Sequence, residues 1–323
     1  MKHFHAMPFP ALLSSPSGRG EQESVSRYGD AGQDDMHSST DATAPRAASD
    51  DPSVALCDAD FQFIAAFVFD RCGIVLGANK RQLVYGRLLR RLRELGLGSF
   101  SEYCARLRAQ PDDELDPLAS AISTNVTSFF RENHHFEFLA QDMLPALASV
   151  ANPRIRIWSA GCSSGEEPYS IAMVMAEVLG NHARSIARVL ATDLSARALA
   201  VARQGTYSLE RLQGVSEPRR KRWFLSGRGG NAGLAMIAQG IRDLVALKQL
   251  NLLHDWPIKG PLDAIFCRNV VIYFDNPTKQ RLFARYAQLL APGGYLFLGH
   301  SESLHGMSDA FDLVGRTIYR KRA

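Results

Sequence analysis

The stretch Ile155-Arg-Ile-Trp-Ser-Ala-Gly-Cys-Ser-Ser-Gly-Glu-Glu-Pro-Tyr-Ser170 decides the fold. It opens as a short apolar, β-rich run, turns at Gly161 and Gly165, and continues from Pro168 to Leu179 with helical spacing. Strand, glycine turn and helix in that order let a ligand approach backbone amides at the carboxyl end of a strand. Downstream the alternation repeats. Strands are predicted at Arg188 to Thr192, Leu262 to Cys267 and Tyr295 to Leu298, with helices at Ala196 to Arg203 and Thr278 to Leu290. Strands alternating with helices predict a parallel sheet covered on both faces. The strand at Arg154 to Ala160 leads this series, and Phe311 to Arg320 reads as further strand. Between the second helix and the third core strand lies an insertion, about 204–246, centred on Ser226-Gly-Arg-Gly-Gly-Asn-Ala-Gly233, which has the composition of a hairpin connection. Ala291-Pro-Gly-Gly294 reads as an ordinary turn between helix and strand.

Upstream the pattern is different. From Asp58, apolar residues recur at helical spacing: Phe61, Ile64, Ala65, Val68 and Phe69, then Leu83, Val84, Leu88, Leu92 and Leu95, ended by Gly96. Further helical stretches run from Phe100 to Leu107 and Leu115 to Ile122, and one long helix follows Arg131. Residues 1–53, rich in Ser, Gly, Asp, Ala and Pro, hold too little apolar surface to offset the entropy of ordering, so a disordered tail is expected. The organisation predicted is a tail at 1–53, a helical domain at 54–124 and an α/β domain at 125–323.

With 46% apolar residues in 323, the chain can bury one full-sized core and a smaller one. Its five cysteines include no Cys-x-x-Cys pair, which argues against structural zinc or a disulfide framework and fits a reducing cytoplasm. No apolar run approaches the roughly 20 residues a bilayer requires, so no membrane insertion is expected. A net charge of +4 is too small to argue for nucleic acid, but its sign permits an acidic partner.

Several residues carry chemistry in this pattern. Glu166 and Glu167 open the helix where a phosphate would otherwise use its partial positive charge, which argues against a phosphate loop. A cationic ligand bearing an amino group, such as the methionyl end of S-adenosylmethionine, suits them better; the alternative is that they only cap the helix. Asp193 ends the next strand, where an acidic side chain reaches ribose hydroxyls, unless it caps the following helix. Asn251 follows Leu247 to Leu250 and is either an adenine contact or a turn residue. Arg268 and Asn269 stand directly after an apolar strand, where the reacting end of a ligand would lie, and Tyr273 follows one helical turn on. Gly161-Cys-Ser163-Ser-Gly165 also fits the nucleophile elbow of a serine hydrolase, with His300 as a triad histidine. That fold needs strands before the elbow, and everything before Arg154 reads as helical or disordered. His134 and His135 have no third ligand nearby in sequence, so no metal site is expected.

Four segments together resemble a known family: Asn125-Val-Thr-Ser-Phe-Phe-Arg131, Trp158 to Ser170, Phe266-Cys-Arg-Asn-Val-Val-Ile-Tyr-Phe-Asp275 and Gly299-His-Ser-Glu302. They are similar to the chemotaxis receptor glutamate methyltransferases, the CheR family, in order from about Asp58 to Arg320. The resemblance implies a Rossmann-like, S-adenosylmethionine-dependent methyltransferase sheet, an N-terminal all-helical domain and a small antiparallel β insertion. It implies S-adenosylmethionine as cofactor, S-adenosylhomocysteine as product, and glutamate side chains of methyl-accepting chemotaxis receptors as substrate. By the same resemblance, Asn125, Thr127 and Arg131 lie on a segment folding over the cofactor. Glu167 and Asp193 match contacts to its methionyl and ribose parts, and Asn251, Leu252, Asn269 and Val270 match the remaining cofactor positions. Arg131 and Tyr273 lie where the family places groups near the transferred methyl. The expected partner is the cytoplasmic helical domain of such receptors, docked through Arg87, Arg90, Arg91 and Arg93 on the basic helix Arg81 to Glu94, with the chain acting as a monomer. In some members the insertion grips a receptor C-terminal peptide. Here Ala235 and Ala238 offer little pocket-forming bulk, which leaves tethering open. A methyltransferase of the same fold acting on RNA or a small molecule is the alternative, since fold alone does not fix substrate, and a non-catalytic module with a degenerate site is a further one.

Overall fold

The computed structural model describes residues 54–123 and 126–322; the expected tail at 1–53 and Asn125 lie outside them. Four helices come first: α1 (Asp58–Cys72), α2 (Arg81–Leu95), α3 (Phe100–Ala109) and α4 (Pro111–Ile122). Their boundaries have local causes. Gly73 and Gly96 end α1 and α2 in the left-handed conformation, and the Ser99 hydroxyl caps α3 by accepting from Glu102 N. The apolar stripes meet in one core that includes Ile64, Val68, Val84, Leu88, Tyr103, Leu107 and Leu118. Within it Glu114 is fully buried and ionised, accepting two bonds from Arg91 (2.9 and 3.1 Å) and one from Arg106 (2.7 Å). Burial opposes its charge, but the two guanidinium groups outweigh burial and hold its pKa below the ordinary value.

The single helix predicted after Arg131 is α5 (His134–Phe138), a π-helical turn at Leu139–Met143, and α6 (Leu144–Ala148). Next come β1 (Ile155–Ala160), α7 (Glu166–Leu179), α8 (Ala183–Ile186), β2 (Ala187–Asp193) and α9 (Ala196–Gln204). The insertion contains β3 (Thr206–Ser208), α10 (Glu217–Trp223), β4 (Phe224–Ser226), β5 (Leu234–Ile237) and α11 (Gln239–Arg242). Its strands form an antiparallel sheet in the order β3-β5-β4, and Gly227 to Gly233 joins β4 to β5 as the composition predicts. The chain then supplies β6 (Val245–Gln249), β7 (Leu262–Cys267), α12 (Asn276–Leu289), β8 (Leu290–Leu298), β9 (Phe311–Gly315) and β10 (Ile318–Lys321). Because β6 starts at Val245, the insertion ends slightly before the expected 246. Ala291 to Gly294 is not a plain turn. It lies inside β8, where the β7–β8 register shifts between Leu262 and Ala264.

The main sheet runs β6-β2-β1-β7-β8-β10-β9. β6, β2, β1, β7 and β8 are mutually parallel, and β10 pairs antiparallel with both neighbours. Side chains alternate between its faces. Ile157, Ala264, Phe266 and Phe297 join a core with α5, α6, α7 and the insertion, whereas Trp158, Ile265, Cys267 and Leu298 join a core with α12. Strand order reverses between β2 and β7 around β1, which opens a crevice at their carboxyl ends. The registers Ala160 with Thr192, Ser159 with Phe266 and Asp193 with Gln249 bring those ends level.

Candidate active site

Three strand ends build the crevice. After β1, the amides of Gly161 and Cys162 both donate to the Thr192 carbonyl, at 2.8 and 2.9 Å. Gly161 has φ 91°, and a Cβ there would stand 2.4 Å from Val270 Cγ2, so only glycine lets the loop after β7 close on the turn. Asp193, at the end of β2, accepts from Ser163 N (2.7 Å) and Ser195 N (2.9 Å) and so fixes the turn to its neighbour strand. The helix-cap alternative for Asp193 is excluded. α9 is capped by Ser195, which accepts from Ala198 N at 3.1 Å, and by Asp116 of α4, which accepts from Ala196 N at 3.1 Å.

These ends, the segment 126–132 and the helical unit enclose a cavity of about 360 Å³. Thr127, Arg131, Glu167, Asp193, Asn251, Leu252, Asn269, Val270 and Tyr273 all line it, so every described member of the expected set comes together. The helical unit contributes Cys72, Ile74, Ala119 and Ser120 to its wall. Asn251 takes part in that junction as well as facing the cavity: its Nδ2 donates to the Arg71 carbonyl at 2.7 Å, and its Oδ1 accepts from Leu253 N at 3.0 Å. Tyr273 accepts at its carbonyl from Val75 N at 2.8 Å. Segment 126–132 crosses the cavity as a strap. Phe129 anchors it edge-on against Tyr207 and Phe224 of the insertion, with centroids 5.0 and 5.5 Å away, and Phe130 N donates to Ser170 Oγ at 3.0 Å. Arg131 donates to the Val126 carbonyl at 2.8 Å, within the strap itself.

The glutamate pair at the start of α7 divides its work. Glu167 faces the cavity, held by Ser159 Oγ at 2.7 Å and Arg268 Nη1 at 3.2 Å. Glu166 points away. It is fully buried, ion-paired with Arg211 of the insertion and hydrogen-bonded by Ser164 Oγ at 2.8 Å, so the expectation that both carboxylates meet a cationic ligand is corrected to one. Burial raises the pKa of both, with Arg268 and Arg211 acting in the opposite direction. Asp193 is likewise raised by burial, against the pull of its backbone donors.

Sequence reading missed two carboxylates here. Glu302 is buried and accepts from the amides of Gly299 (2.6 Å), Asn269 (2.8 Å) and Ile272 (3.2 Å), clamping the loop that carries Asn269 to Tyr273 with Asn269 at φ 59°. Its place at the end of Gly299-His-Ser-Glu302 marked it, but nothing local to the sequence says which amides a carboxylate meets. Glu132 is the other. It accepts from His300 Nδ1 at 2.9 Å and lies 3.4 Å from Arg268 Nη2. Burial works against its charge, but His300 and Arg268 prevail and hold its pKa down at about 2.

Glu132 also corrects the expectation of no third ligand beside His134 and His135, because ligand atoms of the three lie within 4.8 Å of one another. Its Oε1 is bonded by His300, however, its Oε2 lies 3.4 Å from the Arg268 guanidinium, and His134 and His135 bond the Arg316 carbonyl at 3.0 and 3.3 Å. A cation there would face a guanidinium. The hydrolase alternative lacks its parts too. Among the described residues no strand precedes β1, and the buried Ser163 Oγ has no hydrogen-bond partner, hence no base to activate it.

The donors fit an adenosyl ligand with an amino-acid end. Asp193 spends two of roughly four lone-pair sites on the backbone and keeps the rest for hydroxyl donors. Glu167 offers a buried anionic oxygen to an ammonium, and the unpartnered Ser163 Oγ and bare Gly161 border the same space. This sheet order, with its antiparallel β10 and an acidic residue ending β2, defines an S-adenosylmethionine-dependent methyltransferase. Residues 125–320 match the CheR methyltransferase SAM binding domain and residues 59–123 the CheR methyltransferase all-alpha domain, and the chain belongs to the CheR methyltransferase family. It is 48% identical over 261 residues to chemotaxis protein methyltransferase 2 of Pseudomonas aeruginosa, covering 80% of this chain and 92% of that one. Chemotaxis protein methyltransferases of Klebsiella aerogenes and Escherichia coli are 44% and 42% identical, each covering 82% of this chain and 90% and 92% of their own.

Proposed function

We propose that the chain transfers a methyl group from S-adenosylmethionine to glutamate carboxylates on the cytoplasmic helices of chemotaxis receptors, giving methyl esters. The observation that carries this reading is the meeting of Glu167, Asp193, Arg131 and Tyr273 in one cavity whose outer wall continues into a groove of about 820 Å³, edged by exposed Arg90 and Arg197, by Arg87 and Arg91, which have partners of their own, and by Glu94 and Asp116. An acidic helix suits such a groove. The same groove disfavours an apolar small-molecule substrate.

When bound, S-adenosylmethionine supplies an electrophilic methyl on a sulfonium. A substrate glutamate, with a pKa of about 4.3, is ionised at neutral pH and needs no general base. The protein's part is alignment and exclusion of water. In this reading Glu167 receives the cofactor ammonium, Asp193 the ribose hydroxyls, and Asn251 with Leu252 the adenine side. Asn269 and Val270 wall the sulfur end, and Thr127 and Arg131 close the strap over it. Tyr273 donates from its phenol to the incoming carboxylate, and Arg131 leaves the Val126 carbonyl to fix a carboxylate of substrate or cofactor. In-line placement can lower the barrier by up to about 7–11 kcal/mol, and loss of water strengthens the carboxylate as nucleophile.

The test is transfer of labelled methyl to receptor-bearing membranes, read as methanol released by mild base, since carboxyl esters hydrolyse there and N-methyl or ribose-methyl products do not. Base-labile label that disappears with Asp193→Ala is the expected result. Cofactor binding without base-labile product, given a suitable receptor, would move the substrate to another class.

A further inference from the structure

Arg268 follows β7 at 6% exposure, and its guanidinium ties α7 to the strap. Nη1 donates to Glu167 Oε2 on α7 at 3.2 Å; Nη2 donates to the Arg131 carbonyl and lies 3.4 Å from Glu132 Oε2. The guanidinium also lies over the Phe136 ring, 5.7 Å from its centroid. The strap it grips is strained. Phe130 and Glu132, on either side of Arg131, both adopt left-handed backbone, with φ 54° and 57°. Non-glycine residues keep that conformation only where their surroundings over-determine it, and the carbonyl between the two is held by Arg268. Charge points the same way. Arg268 is shared between Glu132 at 3.4 Å and Glu167 at 3.2 Å, so Glu167 does not have the guanidinium to itself and can still take a ligand ammonium.

We infer that Arg268 is the positioning residue for the amino-acid end of the cofactor: by gripping Glu167 and the Arg131 carbonyl together, it closes the strap and aims the Glu167 carboxylate at the ammonium. This rests on the reading of Glu167 given above. The planar fork points separate N–H groups at Glu167 and at the Arg131 carbonyl, which the single nitrogen of lysine cannot span in the same way, so lysine is a poor substitute.

The experiment compares binding of S-adenosylhomocysteine with that of 5′-methylthioadenosine, which lacks the amino-acid end, by calorimetry on the full chain. Arg268→Met is expected to weaken S-adenosylhomocysteine about 10- to 100-fold, the scale of a lost charged hydrogen bond, while 5′-methylthioadenosine binds as to wild type. Arg268→Lys should show the same selective loss in smaller measure, and it decides the matter if the methionine variant does not fold. Parallel loss of both ligands would reduce Arg268 to a structural role, and retention of both would remove it from the site. Glu167→Gln separates the two readings. If it spares the ligand ratio, Glu167 does not receive the ammonium; if it abolishes the ratio while both Arg268 variants spare it, the inference alone fails.

Discussion

Tyr273 is where the chemistry of single residues is most exposed to test. It lines the cavity, its carbonyl is tied to Val75 N at 2.8 Å, and it packs against the helical core, so its ring is positioned from two sides. Tyr273→Phe keeps that packing and removes only the phenol. Turnover should fall by roughly 100-fold, the scale of a slightly misplaced reactant, with S-adenosylhomocysteine affinity unchanged; unaltered turnover would take the tyrosine out of the reaction. The site was legible where a residue's place in the chain fixes its place in space. Glu167, Asp193 and Asn269 each follow a strand end or open a helix, and a parallel sheet brings such positions together. Glu132, Glu302 and the inward turn of Glu166 were not legible, because each depends on a partner supplied from far along the chain: Arg268, the loop amides at 269–272 and Arg211. In the strap, the left-handed backbone at Phe130 and the insertion's grip on Phe129 come from tertiary contacts and so were not legible either.

Among the elements, α2 and the insertion depart most from a pattern reading. The arginines of α2 looked equivalent in sequence. In space Arg91 is committed to buried Glu114, and Arg87 donates to the carbonyls of Ala121 and Ile122, whereas Arg90 and Arg93 are exposed. If a receptor docks here by charge, as proposed, the contact would rest on Arg93 and on Arg90, which also meets Glu94 at 3.1 Å on the surface. Reversing Arg90 and Arg93 to glutamate should raise the Michaelis constant for receptor about tenfold, more at low salt than high, and leave cofactor affinity as it was. A constant that does not move places docking elsewhere. The insertion is tied to the glycine turn as well: Arg211 meets Glu166 and donates to Ser164 Oγ at 2.7 Å, and Tyr207 OH donates to the Ser164 carbonyl at 2.7 Å. Arg211→Met should cost about 1–3 kcal/mol by stranding a buried carboxylate, discounted because the arginine is partly exposed. Adding Glu166→Gln should return part of that loss in urea melts. Strictly additive losses would mean that the pair is not coupled. The strands and helices of the sheet were readable because their apolar period repeats undisturbed. The bulge inside β8 and the π turn at Leu139–Met143 were not, since neither changes that period enough to show.

Across the whole molecule, buried ionisable groups pull stability in opposite directions as pH falls. Burial raises Glu166, Glu167, Asp193 and Glu302, so each destabilises the fold least when protonated. His135 opposes them. Burial first, then the charges of Arg268 and His134, push its pKa down from 6.5 to about 3. Its folded pKa lies below its unfolded value, so the unfolded chain binds the extra proton between them. Stability from this residue is complete above 6.5 and is lost as pH falls toward 3. His135→Gln removes the titration while leaving a polar side chain near Thr317 Oγ1, which the imidazole Nε2 meets at 3.0 Å. The carboxylates titrate in both proteins and cancel in the difference. Between pH 6 and pH 4 the stability of wild type relative to His135→Gln should therefore fall by about 1.4 kcal/mol per pH unit, as one buried neutral histidine requires. Urea midpoints at three pH values measure it. Parallel curves would mean that His135 takes up its proton as readily folded as unfolded, and that the junction of strap, α5 and the β9–β10 turn is open to water instead of sealed.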